Sequence, residues 1–196
     1  MKKGFTLIEL LIVIAIVAIL AAAVVVVLNP AQLLAQARDG QRIADMDSVR
    51  NSVGLLLATA TTTNSTSVFI ASTTCMTNND GGGATTGTIA FTTSTVCAVN
   101  SGTGVDGTGW VTVNFNYTSG GSPLAALPTD PTNDSTYFYA WTNNIDNLTF
   151  ELNARLESQK HRGKMTTDGG DKNTCTTTFT EVNCYYEVGN DPGLNL

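Results

Sequence analysis

From Leu10 to Leu28 no polar residue interrupts a run of Leu, Ile, Val and Ala. About 20 such residues are enough to cross a bilayer as a helix. Lys2 and Lys3 precede the run, and no Lys or Arg follows until Arg38. That asymmetry places the N-terminus in the cytoplasm and the rest of the chain outside. Asn29-Pro30 closes the run, and a proline there removes a backbone donor and bends the helix. Helical spacing then resumes through Leu33, Leu34, Ala37, Ile43, Met46, Val49, Val53, Leu56 and Leu57. Arg38, Asp39, Arg42, Asp45, Asp47 and Arg50 lie between them and form a charged outer face. The pattern predicts one long helix from Phe5 to about Thr59, with a weak point near Pro30 and Gly40. Its second half is amphipathic and must bury its stripe outside the membrane.

Residues 60–109 are rich in Thr, Ser, Gly and Asn and read as a long surface insertion. Val68–Ala71, Thr88–Phe91 and Val96–Val99 are short apolar pieces that suit strands. Trp110–Tyr117 alternates and predicts a strand. Gly120-Gly121-Ser122-Pro123 turns the chain, and Leu127-Pro128-Thr129-Asp130-Pro131 is a stiff, extended loop. Thr136–Thr142 is aromatic and strand-like. Asn147–Glu157 puts Leu148, Phe150, Leu152, Ala154 and Leu156 on one face and Thr149, Glu151, Asn153, Arg155 and Glu157 on the other. That is the pattern of a half-buried antiparallel strand whose apolar face meets the helix. A last strand fits Cys184–Val188. The fold class is α+β, a long N-terminal helix whose outer half packs on a small antiparallel sheet.

The acidic balance, −6 over the whole chain, argues against nonspecific contact with nucleic acid. Cys75, Cys97, Cys175 and Cys184 all follow the membrane segment, and an even count in an exported domain implies two disulfides. Three pairings are open, and nearest neighbours, Cys75–Cys97 and Cys175–Cys184, are the simplest. No Cys-x-x-Cys pair suggests zinc, and the one histidine, His161, stands among Lys160, Arg162 and Lys164 as a solvated residue would. It has no nucleophile and orienting group to make an enzyme site. No Gly-Lys-Ser/Thr follows the glycines, so they form no phosphate loop. Asp168-Gly169-Gly170-Asp171 offers hard oxygens on a flexible loop, which suits Ca²⁺, with Glu187 and Asp191 as more distant ligands.

One carboxylate, Glu9, lies at the start of the apolar run, where a charge is costly and points to function. Gly4-Phe5-Thr6-Leu7-Ile8-Glu9-Leu10 resembles the cleavage and methylation motif of type IV pilins and type II secretion pseudopilins. A secretory signal would have a shorter core and a cleavage site after it; Ala21-Ala22-Ala23 runs on into four valines. The resemblance implies cutting after Gly4 by a prepilin peptidase and N-methylation of Phe5. Loss of two lysines takes the mature chain to −8. Glu9 lies four residues from Phe5 on one helix face, placed to neutralise its own amine or a neighbour's. The resemblance implies the neighbour's, setting register between subunits.

Leu127-Pro128-x-Asp130-Pro131 with Tyr137-x-Tyr139, and Phe150-Glu151-Leu152, is similar to the major pseudopilin of type II secretion. This chain has Thr132-Asn133 where those proteins commonly carry Trp and Gly. The resemblance also brings forward calcium in the C-terminal acidic loop. The organisation it implies is a leader (1–4), a membrane and filament-core helix (5–28), an amphipathic extension (29–59), the insertion (60–109) and a sheet with a C-terminal loop (110–196). The implied function is structural: a non-enzymatic subunit of a helical homopolymer, the major pseudopilin of a secretion system or, alternatively, a type IV pilin for adhesion, motility or DNA uptake. A monomeric membrane-anchored binding protein would not need Glu9 or the Gly4–Phe5 junction. The partners implied are identical subunits, prepilin peptidase, an inner-membrane assembly platform, minor pilins or pseudopilins, and membrane lipid before assembly. The expected location is the inner membrane, then a periplasmic or extracellular filament.

Overall fold

The computed structural model describes residues 4–60, 68–69, 76–78, 91, 97–175 and 183–196. Two helices lead the chain: α1, Leu7–Leu28, and α2, Pro30–Thr59. Ile and Val are indifferent helix formers in water, but within a bilayer a helix alone satisfies every backbone group of a single segment. Asn29 ends α1 and begins α2. It takes the left-handed conformation, φ 41°, and its Oδ1 accepts the Gln32 N–H at 3.4 Å. Pro30 occupies the first helical position, where its missing donor is harmless. The expected weak point therefore falls at Asn29–Pro30, while Gly40 stays inside a regular helix.

Ala35, Asp39, Arg42, Met46, Val49, Ser52, Val53 and Leu56 are the buried residues of α2. Met46, Val49, Val53 and Leu56 meet a five-stranded sheet, ordered β2-β1-β3-β4-β5: β1 Met76–Thr77, β2 Ala98–Val99, β3 Tyr139–Asn144, β4 Thr149–Ala154 and β5 Tyr186–Gly189. β3, β4 and β5 are the antiparallel body. The insertion adds β1, antiparallel to β3, and β2, parallel to β1. Tyr139, Trp141, Phe150, Leu152, Ala154 and Val188 form the face that packs with Met46, Val49, Val53 and Leu56. Trp141 stacks between Phe69 and Phe150, with ring centroids at 6.2 and 5.2 Å.

The structure corrects several expectations. Trp110–Tyr117 is not a strand. Trp110, Val111, Val113 and Phe115 are all buried, so the alternation fails at its start, and the segment closes in a 3-10 turn over Phe115–Tyr117 capped by Asn114. Leu33 and Leu34 remain exposed, because the domain covers that side of α2 only from Ala35 onward. β4 is shorter than Asn147–Glu157, and its polar face is not solvated: Glu151, Asn153 and Arg155 are all buried. Phe91 and Cys97 from the insertion pack with Phe138 and Ala140 in a separate cluster. Of the short insertion strands, Thr88–Ala90, Ile70–Ala71 and Val96 lie outside the described residues, as does Cys75.

Candidate functional site

Gly4, Phe5 and Thr6 precede α1 in non-helical backbone, and Phe5 is almost fully exposed. The Thr6 N–H and hydroxyl both donate to Glu9 Oε2, at 3.0 and 2.9 Å. The Glu9 N–H donates back to Thr6 Oγ1 at 3.3 Å. This capping box satisfies two orphan donors of the helix start and aims the Glu9 carboxylate at the chain's N-terminal end. Phe5, the residue implied to carry the processed amine, is the next one out from Thr6.

No residue of α1 is buried. Its 22 residues rise about 33 Å, matching a hydrocarbon core of about 30 Å. It is long and apolar enough to cross a membrane. The exposed surface continues over Leu33 and Leu34. So a single apolar helix stands free of its own domain, with a carboxylate at its tip.

Beneath that helix, α2 is locked to the domain by buried ions. Arg42 reaches Asp130 with two nitrogens, at 2.7 and 2.9 Å, and Asp39 at 3.0 Å. It also pairs with Glu157 at 2.6 Å, donates to Thr132 Oγ1 at 3.0 Å and stacks over the Tyr137 ring. Asp39 in turn accepts the N–H groups of Glu157 and Ser158, at 2.9 and 2.7 Å. Asp130 also accepts the Thr132 and Asn133 N–H groups, folding the Leu127–Pro131 loop onto the helix. Burial works to lower the Arg42 pKa, but the bonds to Asp130 and Glu157 outweigh it and hold it above the ordinary value. Burial works to raise Glu157, but Arg38 and Arg42 outweigh it and hold it low.

The sequence pattern puts Asp39 and Arg42 on the outer face of the helix and Glu157 on the polar face of its strand. The signal that places them inside is periodic: 35, 39, 42, 46, 49, 53 and 56 step by four and three, one continuous stripe. The apolar pattern instead runs the stripe through Leu33, Leu34, Ala37 and Ile43, because charge reads as exposure. His161 is likewise not simply solvated: its Nδ1 lies 3.8 Å from Asp39 Oδ2, with the side chain 18% exposed.

The calcium candidates stand at the far edge of β5. Asp168 Oδ2 accepts the Glu187 N–H at 2.9 Å and Oδ1 the Gly170 N–H at 3.2 Å. Asp171 pairs with the Lys172 ammonium at 2.6 Å. Neither aspartate leaves both oxygens open to a metal, and Asp191 accepts the Asn195 N–H. Among the described residues no three of His, Cys, Asp and Glu group to hold a metal ion. Burial pushes Glu187 up to about 9 and Glu151 up to about 7, and raises Asp168.

Cys175 and Cys184 form a disulfide, and Cys97 is also disulfide-bonded. The buried Cys184 packs with Leu156 and Met165, tying the last strand to the region after β4.

No curated protein and no solved structure matches the chain. Residues 1–25 match the family described as the prokaryotic N-terminal methylation motif. That match covers the Gly4–Phe5 junction, the Thr6–Glu9 cap and most of α1, and it supports a type IV pilin-like, membrane-anchored subunit.

Proposed function

We propose that this chain is a structural filament subunit, processed after Gly4, methylated on Phe5 and polymerised through α1. One observation carries the reading: an unpartnered apolar helix bearing the methylation motif, whose tip carboxylate sits beside the future terminus. A bilayer covers such a helix in the monomer. In a filament, copies of the same helix cover it, and Glu9 meets the Phe5 amine of a neighbour. Prepilin peptidase and an inner-membrane assembly platform are the partners this route needs. No catalytic role is proposed.

The finer reading is the major pseudopilin of a type II secretion system. The Leu127–Pro131 loop supports it, because Asp130 anchors that loop to α2 through Arg42. The alternative, a surface type IV pilin, draws support from the disulfides and the Thr-rich insertion. Immuno-electron microscopy with an antibody to the domain after Thr59 tests both. Filaments in the sheared fraction support the general reading, and their confinement to the envelope favours the pseudopilin. A chain that stays membrane-bound and monomeric in cells with the assembly machinery overturns the proposal.

A further inference from the structure

One imidazole stands beside a buried carboxylate without bonding to it. His161, the chain's single histidine, precedes the 3-10 turn Arg162–Thr166. Its Nδ1 is buried and has no hydrogen-bond partner among the described residues. It lies 3.8 Å from Asp39 Oδ2, beyond the reach of a hydrogen bond. A buried polar atom left unpaired is unfavourable, and a shift of about 1 Å closes this gap. Asp39 has room for the bond. Its Oδ1 takes Arg42 and the Glu157 N–H, while its Oδ2 takes the Ser158 N–H, and a carboxylate oxygen accepts two donors.

The charges at this corner do not balance. Asp39, Asp130 and Glu157 carry three negative charges against the two positive ones of Arg38 and Arg42. Asp134, further along the Asp130 loop, spends its Oδ1 on the Thr136 and Tyr137 N–H groups. Lys160, Arg162 and Lys164 stand on the turn itself and oppose another positive charge there. Lys160 and Lys164 are exposed, where water and salt screen them. Histidine is the side chain whose ordinary charge change falls between about pH 5 and 8.

We propose that His161 is a proton-operated latch between the Ser158–Lys164 turn and the base of α2. Protonated, its Nδ1–H donates to Asp39 Oδ2 and supplies the missing positive charge. Neutral, it lets go, and the 3.8 Å separation is that of the open latch. The Ser158 N–H on Asp39 and the Gln159 N–H on Gln32 Oε1, at 3.1 Å, then hold the turn to the helix. Met165 stays packed on Leu156 in both states, so the change is confined to the turn. Closure favours the charged form, so it is complete in acid and lost as pH rises. The inference stands apart from the filament reading, because it concerns the domain and not α1.

The test is NMR of the detergent-solubilised, nitrogen-15-labelled full chain at about pH 5.5 and about pH 8, either side of the ordinary histidine range. With one histidine in the chain, the imidazole signals need no variant to assign them. At the lower pH an Nδ1–H proton in slow exchange with water is expected. Hydrogen-exchange protection of the 158–164 amides, taken relative to those of β4 to cancel global stability, should be about tenfold higher there, the worth of one charge-assisted bond. His161→Gln, which stays neutral, should show equal relative protection at both pH values. The wild-type imidazole signals decide the matter should that variant fail to fold. A fast-exchanging Nδ1–H at the lower pH, or equal relative protection of the wild-type turn at both, overturns the latch. So does a pH difference in the turn that His161→Gln retains.

Discussion

Arg42 Nε lies 2.7 Å from Asp130 Oδ2, and neither side chain touches solvent. The pair joins the helix that leaves the membrane to a loop 88 residues further along the chain. With Asp39 and Glu157 it makes the base of α2 rigid with the domain.

Arg42→Leu should destabilise the domain by about 3–5 kcal/mol, because it leaves Asp39, Asp130 and Glu157 close together without their shared cation. Arg42→Lys should lie between wild type and Leu, since an ammonium cannot make the two-nitrogen contact to Asp130. Urea unfolding followed by tryptophan fluorescence measures both. A Leu variant within about 1 kcal/mol of wild type would show that the network is not a clamp.

Stability should fall as pH rises from mildly acidic to alkaline. Glu151 and Glu187 have folded values of about 7 and about 9, above their ordinary 4.5. Their protonated forms fit the buried site, so their contribution is full below about 4.5 and is lost as pH rises through 7 and 9. Glu157 runs the other way: its value is lowered, so its contribution is present above 4.5 and is lost as pH falls through the folded value. A stability maximum near about pH 5 is expected, with a decline toward pH 9 that Glu187→Gln makes shallower. A flat profile across that range in the wild type would contradict burial of the two acids.

Loss of the Cys175–Cys184 bridge should cost about 2–4 kcal/mol, since it closes a short loop in the unfolded chain and its buried half packs on Leu156 and Met165. The double Cys→Ala variant avoids a stray thiol. Comparing its Tm with wild type under oxidising conditions decides it, and identical melting would mean that the linkage does not constrain the unfolded chain.

Glu9→Ala should insert and be cleaved yet be missing from sheared filaments. At the membrane surface water solvates both the Phe5 amine and the carboxylate. In a packed bundle an unpaired amine costs several kcal/mol. Glu9→Gln should behave the same way, because it keeps the shape without the charge. Mass spectrometry of the N-terminal peptide, expected to begin at methylated Phe5, and a filament-yield assay read the two steps separately. Normal yield from either variant would refute the pairing.

The amino-acid sequence by itself determined what is local and strongly periodic. The apolar run to Leu28, the interruption at Asn29-Pro30, the helical stripe from Met46 to Leu56 and the core of the Phe150–Ala154 strand follow from spacing and turn chemistry that no distant contact overrides. The methylation motif lies in contiguous residues and was legible for the same reason. Only the tertiary structure decided which charges are inside. Arg42 reads as surface until Asp130, 88 residues away, and Glu157 supply the counter-charges that make its burial tolerable. Glu151 and Asn153 read as the wet side of a sheet until β5 and the C-terminal residues bring Glu187 and Leu196 against them. Burial of a polar residue is a property of what covers it, and covering is a long-range event. Periodicity reports which face a side chain takes, but not whether another part of the chain arrives there.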